Sequence, residues 1–384
     1  MSRPATPARI PLHPLQELGR RALAQAGGTF DVAVVRTVME LSRRSGRGRS
    51  TSRTVESRLA QLDAVAERWS KLDEEAIFPA PSPITEVRER HVRDLVRKGQ
   101  HAASPTGVVT DVKWKSGFHP IALDNPQRYL AVQENTFGHA RLFTHATHGR
   151  TTGSPRPTMI CIHGYRAGNF ALEEHAWAME WFYGLGLDVA LFQLPFHSLR
   201  AAKGASKAPS FPGPDVAKTN EGFAQAIWDL RGLMAWIRAR TGGPVGVAGM
   251  SLGGYTTSLV ATVARDLDFA VPFIPLSDFT DVVVEHEALR GVAVPQSLID
   301  AGKRAMARVS PLARTPTIPS DKVLVIGAKG DGITKLAHAE QLARHFGAPL
   351  FTFPGGHLLQ FGRREAFAEM ARFLARRGII AGRR

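Results

Sequence analysis

One serine of the chain lies where it could act as a nucleophile. Ser251 stands between Gly249 and Gly253, directly after the apolar run VGVAG and before a segment with helical character. A turn this sharp strains the serine backbone, and the glycines leave space that a Cβ atom would otherwise fill. The hydroxyl is then exposed at the start of a helix, where it can attack an electron-poor carbonyl carbon. In this strand–turn–helix context the pattern G-x-S-x-G predicts a nucleophile elbow.

A serine hydroxyl needs a base near neutral pH, and two later loops supply a base and an acid. His357 follows the apolar run LFTF, and Asp331 follows KVLVIG. Because the carboxyl ends of parallel strands share one edge of a sheet, we expect all three residues to meet there. We therefore predict that His357 takes the proton of Ser251 and that Asp331 orients the imidazole. Asp278, which follows the run FAVPFI, is the alternative acid.

Two backbone amides could stabilise the negative charge that develops on the attacked carbonyl. Gly164 follows the apolar run TMICI and allows the chain to bend towards the serine. The N–H groups of Tyr165 and Leu252 would then form an oxyanion hole. The chain's one cysteine, Cys161, lies inside the same apolar run, so we expect a buried and unreactive thiol. A single cysteine also excludes an intrachain disulfide and a thiolate-rich metal site.

Taken together, these motifs resemble the serine α/β-hydrolase superfamily. The resemblance covers about residues 105–384 and rests on the loop at Gly164, the elbow at Ser251, Asp331 and His357. It implies an α/β fold with a mostly parallel, eight-stranded sheet and helices on both faces. It also implies an acyl-enzyme mechanism that uses neither a metal nor an organic cofactor. No subfamily is indicated.

The loop after the second apolar run departs from the pattern of that superfamily. Many members carry Asp-x-Pro-Gly-His-Gly there, whereas this chain has QLPFHS. His197 and Phe196 in this loop, and Phe279 farther along, are candidates for the walls of a substrate pocket. For the two phenylalanines, packing in the core is the alternative interpretation. For His197, the alternative is a structural role. The missing glycines leave the substrate class open.

The elements that must position these residues alternate along the second part of the chain. Six apolar runs, each followed by a stretch with helical character, occur there: TMICI (158–162), DVALFQL (188–194), VGVAG (245–249), FAVPFI (269–274), KVLVIG (322–327) and LFTF (350–353). Such runs alternating with amphipathic helices predict an α/β fold whose parallel sheet is covered on both faces. Two earlier segments, VVTDVKW and RYLAVQENTF, alternate apolar with polar residues and predict antiparallel strands.

The first hundred residues show helical patterns instead. From residue 55, apolar residues recur every three or four positions, as on one face of a helix. They are Leu59, Leu62, Ala66, Trp69 and Leu72. Segments 30–41 and 86–98 are also predicted to be helices, with a Gly/Ser/Arg break at 45–52.

These patterns divide the chain into a helical N-terminal extension, 1–105, and a catalytic domain, 106–384. Within the domain, 276–310 is long enough for a small cap over the site. We expect the N-terminal helices to pack on the catalytic domain or to mediate homodimerisation. Binding to a membrane surface is the alternative.

Composition and charge exclude several classes of protein. The chain has 384 residues, of which 43% are hydrophobic and 22% charged, as in ordinary globular proteins. It shows no apolar run long enough for a transmembrane segment and no signal peptide, so we expect a cytoplasmic protein. The net charge of +15 is spread along the chain, with local concentrations at 43–53 and 372–384. Neither concentration contains interleaved aromatic residues, so no specific nucleic-acid partner is predicted.

The sequence therefore predicts a serine hydrolase that cleaves a carboxylic ester in a small-molecule acyl substrate. Peptidases and acyltransferases use the same three residues, and nothing in the sequence separates them from esterases. A partner-binding protein with the same fold and no activity is a further alternative, as is a binder of nucleic acids or anionic surfaces. The intact set of nucleophile, base and acid argues against the inactive scaffold.

Overall fold

A mixed β-sheet lies at the centre of the part of the chain that the structure describes. The computed structural model describes residues 14–44, 54–81, 84–95, 107–145, 155–204 and 209–381. Within these ranges the strands are β1 (Thr85–Leu95), β2 (Gly107–Lys115), β3 (Phe137–Thr144), β4 (Thr158–Ile162), β5 (Asp188–Phe192), β6 (Val245–Met250), β7 (Ala270–Phe273), β8 (Val325–Ala328) and β9 (Leu350–Phe353). Their order across the sheet is β1-β2-β3-β5-β4-β6-β7-β8-β9. The strand pairs β1–β2, β2–β3 and β3–β5 are antiparallel. The pairs β5–β4, β4–β6, β6–β7, β7–β8 and β8–β9 are parallel.

Helices connect the strands and cover both faces of the sheet. In chain order they are α1 (Pro14–Arg44), α2 (Val55–Ser70), α3 (Glu74–Ile77), α4 (Pro126–Leu130), α5 (Phe170–Ala176), α6 (Met179–Gly184), α7 (Val216–Thr241), α8 (Leu252–Val260), α9 (Phe279–Leu289), α10 (Gln296–Met306), α11 (Leu336–Phe346) and α12 (Arg363–Arg376). Each of the six apolar runs predicted as parallel strands overlaps one strand of the sheet, from β4 to β9. The α/β prediction is therefore confirmed.

The two faces of the sheet bury separate apolar cores, as the alternation along β4 illustrates. Ile160 and Ile162 point to the core that α2, α7, α8 and α11 cover. Met159 and Cys161 point to the opposite core, which α6 and α12 cover. Successive strand residues face opposite sides of a sheet, so a strand covered on both sides must be apolar throughout. Cys161 is 1% exposed, and burial raises the pKa of its thiol well above the ordinary value.

Within the described residues the sheet has nine strands instead of the predicted eight, because the described part of the segment predicted as a helix at 86–98 is a strand. β1 lies at the edge of the sheet and pairs with β2 alone. Most of its side chains are exposed on both faces, so it lacks the apolar alternation typical of a half-buried strand. Charged residues on an edge strand also discourage pairing with other chains. The prediction of a purely helical extension is wrong for this segment.

The strand predicted for RYLAVQENTF is also wrong. Its first part is the short helix α4, a 3₁₀ turn follows, and β3 begins only at Phe137. The side chain of Asn125 caps α4 by accepting the N–H of Arg128 at 3.2 Å, and Pro126 occupies the first turn. Asparagine followed by proline is a signal for a helix start, and here it outweighs the alternation of apolar residues.

The N-terminal helix α2 packs on the rest of the chain. Trp69, on the apolar face predicted for α2, is 1% exposed and belongs to the core beneath α7 and α8. Asp63 of α2 forms an ion pair of 2.8 Å with Arg304 of α10. The segment predicted as a cap contains α9 and α10, so α2 braces its second helix. The predicted division at residue 105 lies outside the described residues.

The basic residues that the structure describes near the C-terminus are paired with acids. Arg372 and Arg376 both form ion pairs with Glu369, and Arg377 forms one with Asp321. The basic segment 45–53 and the final residues 382–384 lie outside the described ranges. Within those ranges, no helix combines the length and the apolar character needed to cross a membrane.

Candidate active site

Ser251 forms the turn between β6 and α8. Its backbone has φ 56° and ψ −113°, and a positive φ is strained for any residue that carries a side chain. Two backbone hydrogen bonds of 3.0 Å hold the turn: Ser251 donates to the carbonyl of Phe273, and Tyr255 donates to the carbonyl of Ser251. The chain therefore has at this serine the strand–turn–helix geometry that the G-x-S-x-G pattern predicts.

Glycines permit close approach of the backbone around this turn. A Cβ atom on Gly249 would lie 2.0 Å from the carbonyl oxygen of Gly253, and one on Gly253 would lie 2.1 Å from that of Ile162. Neither distance is sterically possible. Gly164 is placed differently, because a Cβ atom there would lie 3.5 Å from Cβ of Ser251 and 3.9 Å from its hydroxyl oxygen. The loop after β4 is therefore directly beside the serine.

The carboxylate of Asp331 lies behind the imidazole of His357. Oδ2 of Asp331 is 2.8 Å from Nδ1 of His357, and the two side chains are 1% and 10% exposed. The other carboxylate oxygen accepts the backbone N–H groups of Ile333 at 2.9 Å and Thr334 at 2.7 Å. Because a carboxylate can only accept, the imidazole proton lies on Nδ1, which leaves Nε2 as a proton acceptor.

Opposing effects act on the pKa of His357. Burial alone lowers this pKa from its ordinary value of 6.5, but the charge and hydrogen bond of Asp331 and the charge of Asp31 raise it, and the net shift is upward. Carboxylates stabilise the protonated imidazole, which is the form that exists after a proton has been taken up. The surroundings of His357 therefore suit a base that must hold a proton transiently.

The alternative acid, Asp278, has another role in the structure. It is the N-cap residue of α9, and its Oδ1 accepts the backbone N–H groups of Thr280 at 2.7 Å and Asp281 at 3.2 Å. The structure thus places Asp331 against His357 and places Asp278 at the start of the cap helix.

The two amides predicted for the oxyanion hole lie on the loops beside Ser251. Leu252 is the first residue of α8, and the first N–H groups of a helix have no acceptor within it. A helix N-terminus also favours nearby negative charge. Tyr165 follows Gly164 in the loop after β4, and its side chain is largely exposed. Both amides belong to the carboxyl edge of the sheet, where the serine lies.

Two buried histidines brace the loops after β4 and β5. His163 donates from Nδ1 to the carbonyl of Gly164 at 2.7 Å and accepts the N–H of Leu194 on Nε2 at 3.1 Å. His197 donates from Nδ1 to the carbonyl of Pro195 at 2.9 Å. Burial is the main cause that lowers the pKa of His163 to about 4 and that of His197 to about 3. Both imidazoles are therefore neutral at pH 7, and their hydrogen bonds go to the backbone.

The two phenylalanines proposed as pocket walls pack on other aromatic rings. Phe196 is 2% exposed, and its ring lies 5.0 Å from that of Tyr129. Phe279 is half-buried, with ring distances of 4.9 Å to Tyr255 and 5.4 Å to Phe223. These contacts match the core-packing alternative, although Phe196 also contributes to a cavity.

That cavity, of about 320 Å³, lies beside the loop after β5, with Arg166, Asn169 and Phe196 in its wall. A second cavity, of about 210 Å³, lies between α3 and α7 and is lined by Phe78 and Trp228, among others. Ser251 and His357 line neither of them. In the described part of the chain, no group of three or more His, Cys, Asp or Glu side chains is arranged to hold a metal ion.

Two residues that the sequence does not single out contact the Asp331–His357 pair. The hydroxyl of Thr334 lies 3.0 Å from Oδ2 of Asp331 and 3.1 Å from Nδ1 of His357. Asp31, in α1, accepts the backbone N–H of His357 at 2.5 Å. Thr334 lies three positions after the predicted acid, so its closeness to Asp331 in the sequence could have indicated a contact. Asp31 has no local signal, because it lies 326 positions before His357.

Two proteins of Mycobacterium tuberculosis are similar to this chain in sequence. They are the uncharacterized protein Rv2627c of strain H37Rv and the uncharacterized protein MT2702 of strain CDC 1551. Each is 30% identical over 350 residues, and the alignment covers 88% of this chain and 79% of the other. No family model matches the chain.

Among solved structures, two acetyl xylan esterases have a similar fold. The enzyme from Paenibacillus sp. R4 superposes with a TM-score of 0.52 at 12% identity, covering 84% of this chain and 95% of its own. Acetyl xylan esterase 1 from Thermoanaerobacterium sp. JW/SL YS485 has a TM-score of 0.50 at 12% identity, covering 83% and 94%. At this identity the likeness concerns the fold, which is that of the α/β-hydrolases.

Proposed function

Because the chain belongs to the family of these two mycobacterial proteins and has the fold of the serine α/β-hydrolase superfamily, we propose that it is a serine hydrolase that cleaves carboxylic esters. Its reaction proceeds through an acyl-enzyme on Ser251. His357 is the base and Asp331 the acid of the triad. The substrate is a small molecule with an acyl group, and the mechanism needs no cofactor.

In the acylation step, Oγ of Ser251 attacks the ester carbonyl while Nε2 of His357 takes the hydroxyl proton. Asp331 keeps the other proton on Nδ1 and stabilises the imidazolium that forms. The amides of Leu252 and Tyr165 donate hydrogen bonds to the oxyanion of the tetrahedral intermediate. When the intermediate collapses, the alcohol leaves with the proton that His357 held, and the acyl group stays on Ser251.

Deacylation repeats these steps with water in place of the serine. His357 accepts a proton from the water molecule as its oxygen attacks the acyl carbonyl. The same two amides stabilise the second oxyanion. Ser251 then leaves with the proton from His357, and the free carboxylic acid departs.

The observation that carries this proposal is the strained backbone of Ser251, with its φ of 56° at the strand-to-helix turn. Strain of this kind costs on the order of 1–3 kcal/mol and persists where the surroundings enforce it. A partner-binding scaffold without activity would have no use for a strained serine at the same edge of the sheet as a buried Asp–His pair. The second supporting observation is that Oδ2 of Asp331 accepts the proton on Nδ1 of His357. This hydrogen bond leaves Nε2 of His357 able to accept a proton at the edge of the sheet where Ser251 lies.

A fluorophosphonate probe tests the proposal directly. The purified protein should be labelled and should hydrolyse p-nitrophenyl acetate, whereas Ser251→Ala should do neither. Ser258→Ala is the matched control. Ser258 lies in α8, the helix that begins directly after Ser251, and its hydroxyl donates to the carbonyl of Gly254 at 2.9 Å. Labelling that survives in Ser251→Ala, or is lost in Ser258→Ala alone, would refute the assignment of the nucleophile.

The bond that is cleaved requires a second comparison. We expect a p-nitrophenyl ester to react far faster than the p-nitroanilide of the same acid, because a peptidase must also protonate a poor amine leaving group. Added alcohols should not divert the acyl group from water. A high anilide rate would identify a peptidase, and ester formation with an added alcohol would identify an acyltransferase.

A further inference from the structure

The first helix of the chain reaches the base and acid loops of the proposed triad. The side chain of Asp31, in α1, is fully buried. Its Oδ2 accepts the backbone N–H of His357 at 2.5 Å and that of Gly332 at 3.1 Å, and its Oδ1 accepts that of Leu358 at 2.9 Å. One carboxylate therefore joins the loop after β8, which carries Asp331, to the loop after β9, which carries His357.

Glycines on both sides make this contact possible. A Cβ atom on Gly27 would lie 2.4 Å from the backbone nitrogen of Gly356, and one on Gly28 would lie 2.8 Å from the carbonyl oxygen of Gly330. In the other direction, a Cβ atom on Gly330 would lie 2.0 Å from the carbonyl oxygen of Ala24. Backbone thus packs against backbone, and small displacements of α1 must move the two loops with it. An accidental helix contact would not need glycine on each side.

The charge of Asp31 also reaches the imidazole. Three titratable groups of the described chain interact with His357: Asp331 from the loop after β8, Asp31 from α1 and His286 from α9. The two carboxylates raise the pKa of His357, and burial opposes them. His286 is itself half-buried, and burial is the largest cause that lowers its pKa, so it is neutral when His357 titrates. Asp31 is therefore the second negative charge that faces the protonated base.

We propose that Asp31 is a positioning residue of the hydrolytic reaction, through which α1 holds the base and acid loops in register and stabilises the imidazolium of His357. This inference rests on the proposed function, because it gives Asp31 a part in that mechanism. It makes the N-terminal helix a component of the active site instead of an appendage to the catalytic domain. Asp31 touches no reacting atom, and it acts through the loop and the charge of His357.

Asp31→Asn separates this role from simple structural support. The amide has nearly the same shape but no charge, and its NH₂ group cannot accept the backbone N–H groups. We expect kcat for p-nitrophenyl acetate to fall about 10- to 100-fold with little change in KM, since misplaced catalytic groups cost rates of this order. The acid limb of the kcat/KM profile should move to lower pH, because removal of a negative charge lowers the pKa of His357.

Glu17→Gln is the matched control. It makes the same change in the same helix, but Glu17 is exposed and pairs with Arg21 one turn away. This variant should retain the kcat and the pH profile of the wild type. If Asp31→Asn has wild-type kinetics, or if it loses kcat while its acid limb stays in place, Asp31 does no more than anchor the loop and the proposal is overturned.

Gly28→Ala provides a second test that does not depend on the folding of the Asp31 variant. Its new Cβ atom would push α1 away from Gly330 without changing any charge. We expect a lower kcat with an unshifted acid limb, whereas wild-type kcat would contradict the positioning role of the helix.

A histidine NMR titration separates this inference from the proposed function. With the signal of His357 assigned by its absence in His357→Gln, its pKa should be lower in Asp31→Asn than in the wild type. An equal pKa in both proteins overturns the role of Asp31 even if the enzyme is an esterase. If the wild type fails to react with fluorophosphonate, the proposed function fails while the titration still reports on the charge coupling.

Discussion

Nδ1 of His357 lies 2.8 Å from Oδ2 of Asp331, whose other oxygen accepts two N–H groups of its own loop. The carboxylate is thus oriented by residues that follow β8 before it meets the imidazole that follows β9. Local hydrogen bonds remove the freedom of the acid, so the histidine meets an acceptor in one fixed direction. This arrangement selects the tautomer with a free Nε2, which is the atom that the proposed mechanism needs.

Asp331→Asn should abolish most of the activity while the protein remains folded. The asparagine amide can donate to Nδ1, which favours the tautomer with the proton on Nε2 and removes the base. We expect kcat to fall roughly 10³- to 10⁴-fold, the size of the effect in serine proteases with a triad. Steady-state kinetics with p-nitrophenyl acetate measure it, and circular dichroism checks the fold. A loss below tenfold would show that the acid has been misassigned.

Asp278→Ala should lower the stability of the protein and leave its activity nearly unchanged. Asp278 caps α9 with two backbone hydrogen bonds, and loss of an N-cap side chain costs about 0.5–2 kcal/mol of the free energy of unfolding. The kcat should stay within about twofold of the wild type, since the residues of the proposed triad are untouched. Urea denaturation and ester hydrolysis measure the two quantities. If kcat disappears in this variant and persists in Asp331→Asn, Asp278 is the acid.

The pH dependence of activity follows from the raised pKa of His357. A base must be neutral to accept a proton, so kcat/KM should fall as pH decreases through the pKa of His357 in the folded protein. Since this pKa is raised from 6.5 against the effect of burial, by Asp331 and Asp31, the apparent pKa of the acid limb should lie above 6.5. Two esters with different leaving groups should give the same limb. A limb centred below 6.5 would contradict the predicted electrostatics.

The same pKa shift predicts a change of stability with the opposite pH dependence. A group whose pKa is higher in the folded than in the unfolded protein stabilises the fold below the unfolded value of about 6.5. This contribution is lost as pH rises through the higher, folded pKa. The Tm of the wild type minus the Tm of His357→Gln, measured by calorimetry, should therefore decrease as pH rises from 6 to 9. A constant difference would mean that the pKa of His357 is not raised.

The parallel half of the sheet was predictable because burial on both faces leaves a simple sequence pattern. Each of its strands is an apolar run, and each loop at the carboxyl edge follows such a run. β1 lacks this pattern because an edge strand is exposed on both faces. Its half-buried positions are Val87, Val92 and Leu95, whose separations of five and three residues do not show the alternation of a strand. Only the pairing with β2, a long-range contact, identifies this segment as a strand.

The role of Asp31 could not be predicted for a related reason. It lies 326 positions before His357, and no local pattern links the two. An aspartate in an amphipathic helix is ordinarily a solvated residue, whereas here three amides from distant loops surround it. Ser251, Asp331 and His357 carry signals that are local to a strand end. Asp31 reaches the site through tertiary packing, and this packing leaves no local pattern in the sequence.

Gly253→Ala should destabilise the protein through a steric clash at the elbow. The new Cβ atom would lie 2.1 Å from the carbonyl oxygen of Ile162, so β4 and α8 would have to separate. Overpacking of this kind costs about 1–3 kcal/mol of the free energy of unfolding, and the displaced serine should lose most of its reactivity. Gly184→Ala, at a position with no atom within 4 Å of the added Cβ, is the control and should unfold like the wild type. Equal stability of the two variants would contradict the close approach at the elbow.

Thr334→Val tests the third residue at the Asp–His pair. Its hydroxyl lies 3.0 Å from Oδ2 of Asp331 and 3.1 Å from the carbonyl oxygen of Ile274, so it can donate to either. Valine keeps the shape but removes the one proton that either buried acceptor can receive from this residue, which should cost about 1–2 kcal/mol of stability and about tenfold in kcat. Thr334→Ser keeps the hydroxyl and should retain most of the activity. Because serine loses only the methyl group, an equal loss of kcat in both variants would assign the effect to packing and would contradict a role for the hydroxyl in orienting Asp331.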